Sequence, residues 1–216
     1  MKQMINHHLT PELMMAYSAG TLPEAFALVV ATHVSMCDGC RAEIDSFDAV
    51  GGCMVEDARA AALSVDSLEA TMRLIAQGPA TTKQMPRLSS GTLPSPLQDY
   101  VGGDLDAIKW RSIGMGVKQA ILPTSSDATA RLLYIPAGSA VPDHGHRGTE
   151  LTLVLQGAFS DDEDRFARGD VEVANEDLQH TPVADIGMDC ICLAATDAPL
   201  KFNAFIPRLA QRFLRI

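Results

Sequence analysis

The sequence lacks several features that membrane proteins and nucleic-acid-binding proteins usually have. No apolar run reaches the roughly 18 to 20 residues that a transmembrane helix needs, and Met1–Glu12 contains no apolar signal-peptide core. Aromatic residues make up 5% of the 216 residues, too few for a base-stacking surface. The formal net charge of -10 disfavours contact with DNA or with an anionic membrane. We therefore expect a cytoplasmic protein that binds neither nucleic acid nor membrane directly.

Cysteine is also scarce, and the five cysteines form an odd set at positions 37, 40, 53, 190 and 192. In a reducing compartment, a Cys-x-x-Cys pair such as Cys37 and Cys40 indicates a metal or redox site rather than a structural disulfide. The composition of the whole chain, 47% hydrophobic and 20% charged, is that of a globular protein.

Residues 10–77 have the composition and the capping signals of helices. Thr10 and Pro11 predict an N-cap and first turn, and Gly20 can end that first helix. The predicted helices run from Pro11 to Gly20, from Glu24 to about Phe47, over a short stretch near 54–63, and from about Asp66 to Ala76. Gly51-Gly52 is predicted to break the chain between the second and the third of them.

Residues 79–96 are rich in proline, glycine and serine, which is typical of a linker. From about Ala107 onward the pattern is that of short β-strands, as expected for a sandwich or barrel. The predicted strands are 119–122, 130–135, 150–155, 170–174, 189–194 and 200–206. We therefore predict an α+β multidomain protein, with a helical domain at 1–78, a linker at 79–96 and an antiparallel β domain at 97–216.

The helical part contains a candidate zinc site. His33, Cys37 and Cys40 have the spacing His-x-x-x-Cys-x-x-Cys, and on a helix they share one narrow stripe. Imidazole and thiolate suit tetrahedral Zn²⁺, which needs a fourth ligand. His7 and His8 lie just before the first helix, and either could supply it. The alternatives are two buried cysteines beside a core histidine, or a redox-active cysteine pair.

At these residues the sequence resembles the zinc-binding anti-sigma domain, a small four-helix fold with an upstream histidine followed by His-x-x-x-Cys-x-x-Cys. The resemblance covers about residues 5–77. It implies that His8 (or His7), His33, Cys37 and Cys40 bind Zn²⁺, and it favours His8 because the family's ligand directly precedes the capping segment of the first helix. It also implies that this domain wraps an extracytoplasmic-function sigma factor and hides its polymerase-binding surfaces.

The β part contains a second candidate metal site. Residues 138–157 read G-x5-H-x-H-x3-E-x6-G, with His144, His146 and Glu150 at the three ligand positions. His144 and His146 are two residues apart, so on a strand they face the same side, and His180 follows on a later strand. Three imidazoles and one carboxylate suit Zn²⁺, Fe²⁺, Mn²⁺ or Ni²⁺, among which we expect Zn²⁺.

The second set resembles the first cupin motif at every defined position, which implies a double-stranded β-helix with these four residues as ligands. The second cupin motif matches less well. Gly169 and His180 have the expected spacing, but Asn175, Asp177 and Ala184 replace the usual proline, glycine and asparagine. Those departures concern the geometry of the turn rather than the ligand position. The alternative is a metal-free barrel with surface histidines.

An anti-sigma domain followed by a cupin domain resembles the ChrR-type anti-sigma factors along nearly the whole chain. That resemblance implies a non-enzymatic regulator that sequesters its sigma factor in a one-to-one complex. It further implies that the cupin domain senses oxidative stress such as singlet oxygen and triggers release of the sigma factor.

Two other functions stay open. Cupins with three histidines and a glutamate include dioxygenases and isomerases that use the metal on small molecules. A thiol or zinc redox sensor, in which Cys37 and Cys40 lose the metal on oxidation, is the second alternative. Cys190 and Cys192 face one side of a strand, either as buried thiols of the barrel wall or as an oxidation-sensitive pair. The acidic run 161–164 is interpreted as a solvated turn.

Overall fold

The helices in the described part of the chain lie in its N-terminal half. A computed structural model describes residues 4–78, 91–145, 147–199 and 201–202. The α-helices are α1 (Pro11–Ser18), α2 (Glu24–Val34), α3 (Asp38–Glu56), α4 (Ser67–Ala76) and α5 (Ser95–Val101), and a 3₁₀ turn covers Leu105–Ala107. Of the predicted linker, 79–90 lies outside the described residues.

Twelve strands in the described residues form three antiparallel sheets. The strands are β1 (Arg111–Gly114), β2 (Val117–Ile121), β3 (Thr129–Ile135), β4 (His144–Gly145), β5 (Glu150–Gln156), β6 (Ala158–Ser160), β7 (Arg165–Ala167), β8 (Val171–Ala174), β9 (Gln179–His180), β10 (Val183–Ala184), β11 (Cys190–Thr196) and β12 (Lys201–Phe202). The largest sheet has the order β1-β2-β3-β11-β5-β8, and the two smaller sheets have the orders β10-β6-β7 and β12-β4-β9. This confirms the predicted antiparallel cupin fold.

The first helix begins as predicted. The Thr10 side chain accepts a hydrogen bond from the backbone N–H of Leu13, and Pro11 occupies the first turn. Gly20, just past the helix end, has a φ of +66°, a conformation that glycine adopts without the steric cost of a side chain. The last helix of this part is also confirmed, since α4 covers the predicted stretch near 66–76.

The predicted second helix, from Glu24 to about Phe47, is wrong in one respect. The chain leaves the helix after Val34 and starts a new helix at Asp38, with Cys37 as the N-cap whose Sγ accepts from the N–H of Cys40. On one continuous helix, His33 and Cys40 would lie about 10 Å apart along the axis. The break shortens that separation and turns the three predicted ligands toward a common point.

The predicted break at Gly51-Gly52 is also wrong, because α3 continues through both glycines to Glu56. A glycine in a helix costs only about 1 kcal/mol relative to alanine, and this stretch contains no proline. The short helix predicted near 54–63 does not form, since 59–64 has no regular structure.

Six predicted strands correspond to observed ones, β2, β3, β5, β8, β11 and β12, with ends shifted by a few residues. For the last of them, 200 and 203–206 lie outside the described residues. The strands that the sequence did not predict are mostly two to four residues long, too short to show a period.

The helices and the large sheet share one hydrophobic core. Helix α2 packs against β3, β5 and β11, where apolar side chains such as Val29, Leu132 and Leu193 are fully buried. The opposite face of the same sheet packs Val154 and Cys192 against Phe159 and the small sheets. The barrel interior is therefore separated from the helices by the thickness of one sheet. Division of the chain into domains at 1–78 and 97–216 stays a prediction.

Among the helices in the described ranges, none is both long enough and apolar enough to cross a bilayer.

Candidate metal centres

His8 precedes α1, His33 lies near the end of α2, and Cys37 and Cys40 lie at the start of α3. The structure nevertheless brings these four residues together. One ligand atom from each of the four lies within 4.8 Å of all the others. Nδ1 of His8 is 3.4 Å from Cys37 Sγ and 3.5 Å from Cys40 Sγ, and Nε2 of His33 is 3.3 Å from Cys40 Sγ. The two cysteines and His33 are buried, whereas His8 is exposed.

These separations match those of a tetrahedral zinc site. Zinc bonds of about 2.3 Å to sulfur and 2.0–2.1 Å to nitrogen place adjacent nitrogen and sulfur ligands roughly 3.6 Å apart. The three nitrogen–sulfur distances lie within a few tenths of an ångström of that value. Two thiols and two imidazoles are also a ligand set that structural zinc sites use, so these four side chains fit a zinc ion.

The protonation of this cluster follows from its burial. Burial lowers the pKa of His33 to about 4, so its imidazole is neutral near pH 7, as a ligand must be. Burial is also the largest cause that raises the pKa of the Cys40 thiol to about 11. A metal that binds here therefore displaces the proton of that thiol.

His7, the other candidate for the fourth position, points away from the cluster. Its Nε2 lies 2.9 Å from Asp164 Oδ2, and its ring centroid lies 4.4 Å from that of Phe166. Burial lowers the pKa of His7, but hydrogen bonds and charges of Asp164 and Asp170 outweigh it and raise the pKa overall. The structure thus places His8 in the cluster and His7 against the β domain.

The predicted cupin ligands His144, Glu150 and His180 lie at one end of the barrel. His144 pairs with His180 in the register of β4 and β9, and their ring centroids are 4.9 Å apart. Glu150 begins β5; burial is the largest cause that raises the pKa of its carboxyl to about 7, while the charge of His180 acts in the opposite direction. His146 lies outside the described residues, so the complete set stays a prediction.

Both cupin histidines have Nδ1 against an oxygen acceptor. Nδ1 of His144 is 2.9 Å from the carbonyl oxygen of Pro142, and Nδ1 of His180 is 3.0 Å from Asp161 Oδ2. Because these oxygens only accept, each imidazole carries a proton on Nδ1, which leaves Nε2 as the nitrogen that a metal would take. This is the usual arrangement around histidine ligands, and it supports the predicted roles of His144 and His180.

Asp161 and Glu172 are functional candidates that the sequence did not reveal. With His180 they form a second group whose ligand atoms lie within 4.8 Å of one another, and Glu172 Oε1 is 3.1 Å from His180 Nδ1. The interpretation of 161–164 as a solvated turn is wrong for Asp161, whose side chain is 3% exposed. Burial lowers the pKa of His180, but ion pairs with Glu172 and Asp161 outweigh it and raise this pKa to about 9.

The turn before His180 is formed by Asn175, which stands where the second cupin motif usually has a proline. The Asn175 side chain accepts from the N–H of Asp177, and its carbonyl accepts from the N–H of Leu178. An asparagine that bonds to the backbone two residues later forms a turn of its own. Asn175 therefore supplies the turn in the absence of the usual proline.

The remaining cysteines divide into a buried pair and an exposed residue. Cys190 and Cys192 lie inside the barrel, with their sulfur atoms 3.5 Å apart. The hydrogen bond with Cys190, together with burial, raises the pKa of Cys192 well above its usual value, so this thiol is protonated near neutral pH. Cys53 is exposed on α3.

Apolar side chains are exposed at the end of α3 and along α4, and together they are called the apolar surface of α3 and α4. No residue of α4 is buried, although Leu68, Met72 and Ile75 follow one another at helical spacing with exposures of 75%, 57% and 66%. Val50, Met54 and Val55 on α3 are exposed as well. An amphipathic helix normally buries its apolar face against another element, and an exposed one marks an interaction surface.

Three comparisons with known proteins agree with one another. Residues 98–198 match the family model described as the ChrR cupin-like domain. The chain is 57% identical over 215 residues to the anti-sigma-E factor ChrR of Cereibacter sphaeroides, and the alignment covers 98% of this chain and 99% of that protein. It is also similar to a chain in the crystal structure of Rhodobacter sphaeroides SigE in complex with the anti-sigma ChrR. That match has a TM-score of 0.80 and 56% identity, and it covers 90% of this chain and 100% of the other.

Proposed function

The chain belongs to the ChrR family of anti-sigma factors, and from this premise we propose that it sequesters an extracytoplasmic-function sigma factor in a one-to-one complex and releases it under oxidative stress. Its role is regulatory rather than enzymatic. The proposal places the protein in the cytoplasm, where sigma factors meet RNA polymerase.

The observation that carries the proposal is the apolar surface of α3 and α4. A helix such as α4 gains little from propensity alone, since an isolated helix of ten residues is marginal in water. Docking of Leu68, Met72 and Ile75 in a groove of a partner would both bury this face and order the helix. The sigma factor named in the related complex is the partner that the proposal assigns to this surface.

Zinc at His8, His33, Cys37 and Cys40 has a structural role in the proposal. It joins the segment before α1 to the break between α2 and α3, and so fixes the direction in which α3 leaves the core. Structural zinc sites contribute folding free energy directly. The metal therefore supports the scaffold that carries the sigma-binding surface and does not itself contact the sigma factor.

The cupin domain is the sensory part in the proposal. His144, His146, Glu150 and His180 hold a divalent metal, with Zn²⁺ as the proposed ion, and singlet oxygen or a related oxidant is the proposed signal. The inward Nδ1 partners of His144 and His180 support the metal site.

The test is run-off transcription with purified RNA polymerase and Rhodobacter sphaeroides SigE as the probe. We expect the fully zinc-loaded chain to inhibit SigE-dependent transcription at an equimolar ratio. A variant in which Leu68, Met72 and Ile75 are all changed to glutamate should not inhibit this transcription. Transcription that is insensitive to the zinc-loaded wild type would overturn the proposal.

A further inference from the structure

The segment Gly169–Glu172, called the turn below, comprises the end of the connection between β7 and β8 and the first two residues of β8, and it contacts both candidate metal centres. At its first residue, the carbonyl oxygen of Gly169 accepts a hydrogen bond from Nδ1 of the zinc-site residue His33, 2.9 Å away. At its last residue, Glu172 Oε1 lies 3.1 Å from Nδ1 of the cupin residue His180. At about 3.3 Å per residue of strand, the two contacts are separated by only about 10 Å of chain.

Asp170, between these two residues, holds the segment that carries His8. Its Oδ1 accepts from the backbone N–H of Asn6 at 2.6 Å and of His7 at 3.0 Å, and its side chain is almost completely buried. The N–H of Val171 in turn donates to the carbonyl oxygen of His7 at 3.2 Å. The backbone directly before His8 is therefore bonded to the turn, so both imidazole ligands of the zinc cluster depend on its position.

The turn leaves little room for adjustment around Gly169. This glycine has a φ of +95°, and a Cβ added to it would lie 2.7 Å from Cγ1 of Ile5. The turn is also bonded to β5, since the N–H of Gly169 donates to the carbonyl oxygen of Val154 and the N–H of Val154 donates to that of Asp170. Close packing of this kind transmits a displacement instead of absorbing it.

A cavity of about 660 Å³ borders the two ends of this arrangement. It is lined by His7 and His8 on one side and by Asp161 and Glu172 on the other. It therefore borders His8 of the candidate zinc cluster and the two carboxylates that contact His180.

We propose that Asp170 and Glu172 are positioning residues for the two metal centres, and that the turn Gly169–Glu172 couples the state of the cupin site to the stability of the zinc site. Displacement of His180 moves Glu172, the turn shifts with it, and the hydrogen bonds to His33 and to the segment before His8 weaken. The proposal rests on the anti-sigma function proposed above. It states how a change at the cupin site would be transmitted to the helical part that binds the sigma factor.

The test uses the full chain loaded with Co²⁺, because thiolate-to-cobalt charge-transfer absorption reports the site that contains Cys37 and Cys40. We expect Asp170→Asn to speed loss of this absorption to excess EDTA by roughly 10-fold, the effect of removing an outer partner of a metal site. Glu172→Gln, a change at the cupin end, should speed it by roughly 5-fold or more, as expected for coupled sites. The double variant should speed cobalt loss by less than the product of the two single effects, because both changes act on the same turn.

Two further variants separate coupling from general loosening. Asp161→Asn removes the other carboxylate partner of His180 but lies off the turn, so it should lower the metal content of the cupin site and speed cobalt loss at the thiolate site only while Glu172 is present to pass the displacement of His180 to the turn. In the Glu172→Gln background the same change should add little to the rate of cobalt loss. Asp162→Asn removes a neighbouring exposed charge and should change neither measurement. Should Glu172→Gln fail to fold, as judged by thermal melting, Glu172→Asp keeps the carboxylate and should give a smaller change of the same sign.

A wild-type rate of cobalt loss in Glu172→Gln or its substitute Glu172→Asp would overturn the coupling. So would an Asp161→Asn change that speeds cobalt loss as much in the Glu172→Gln background as in the wild type, because the turn would then not be the route. Binding of the same metal-saturated variants to SigE distinguishes the two proposals. If they bind like the wild type, the anti-sigma function stands whatever the cobalt result, whereas failure of the wild type to bind overturns the function itself.

Discussion

The imidazole Nδ1 of His33 donates a hydrogen bond to the carbonyl oxygen of Gly169, 136 positions later in the chain and 2.9 Å away. Because a carbonyl oxygen only accepts, this contact fixes the tautomer and leaves Nε2 to face Cys40 Sγ. An outer hydrogen bond of this kind orients a metal-ligating histidine and raises its basicity. A residue of the β part thus orients one histidine of the candidate zinc cluster in the helical part.

Removal of a thiol from this cluster should remove its zinc. We expect Cys37→Ser and Cys40→Ser each to lose about one zinc equivalent per chain, because a structural site needs all four ligands, and to lose SigE binding as the helices loosen. Metal analysis by mass spectrometry, together with a pull-down, measures both effects.

Cys53→Ser is the matched control, since Cys53 is exposed on α3 outside the cluster. It should keep its zinc. Equal zinc loss from Cys53→Ser and Cys37→Ser would show that the sulfur ligands have been misassigned.

The two adjacent histidines should behave differently. His8→Ala should weaken zinc binding by more than the roughly 10- to 100-fold that loss of an outer partner costs, because its Nδ1 faces both thiols. His7→Ala should leave zinc stoichiometry unchanged and expose the backbone N–H groups of 6–8 to faster hydrogen exchange, since its ring anchors this segment on Asp164. Competition with a chelator of known affinity measures the zinc affinity of both variants. If His7→Ala weakened zinc binding more than His8→Ala, His7 and not His8 would be the fourth ligand.

The type of fold and the grouping of His33, Cys37 and Cys40 were predictable from the sequence because both depend on local spacing. His33, Cys37 and Cys40 are near neighbours in the chain, and α1, α4 and the longer strands have caps or periods of their own. The break at residues 35–37 was not predictable in this way. Helix propensity is a weak preference, and the close approach of the cysteines and histidines to one another decides the backbone there.

Long-range contacts within the β part were not predictable from one sequence. Glu172 stands in an apolar strand, where alternation would allow it to face either way, and only the pairing of β8 with Thr152 of β5 turns it inward. Asp161 opens an acidic run that resembles a solvated turn, and only the position of His180 shows that its side chain is buried. Such facts depend on register and long-range packing, which local patterns do not contain.

The apolar face of α4 should determine binding to the sigma factor. Met72→Glu should weaken SigE binding by about 30-fold or more, since a central interface residue contributes about 2 kcal/mol. It should leave the thermal midpoint of the free chain unchanged, because no residue of α4 is buried within this chain.

Gln77→Glu adds the same charge on the opposite side of the helix and serves as the control. It should bind nearly like the wild type. A fall in the melting temperature of free Met72→Glu would indicate instead that this face packs within the chain itself.

The hydrogen bonds of Glu24 with Tyr100 and Ser125 should make stability depend on pH in a defined direction. Its carboxylate accepts from the Tyr100 hydroxyl at 2.7 Å and from the N–H of Ser125 at 2.6 Å, and these bonds lower the pKa of Glu24 and raise that of Tyr100 to about 12. A lowered carboxyl pKa stabilises the fold above the unfolded value of roughly 4.3 and stops doing so as the pH falls through the folded value. The raised phenol pKa acts the other way, with its stabilisation present below roughly pH 10 and lost as the pH rises through about 12.

Glu24→Gln should therefore lower the melting temperature slightly near neutral pH, and the difference from the wild type should shrink as the solution is acidified below roughly pH 4. Glu176→Gln, a change of an exposed glutamate, is the control and should melt like the wild type throughout. Thermal melts followed by circular dichroism across this range give the comparison. A difference that grows on acidification would mean that the Glu24 carboxylate does not carry the contact between α2 and the β domain.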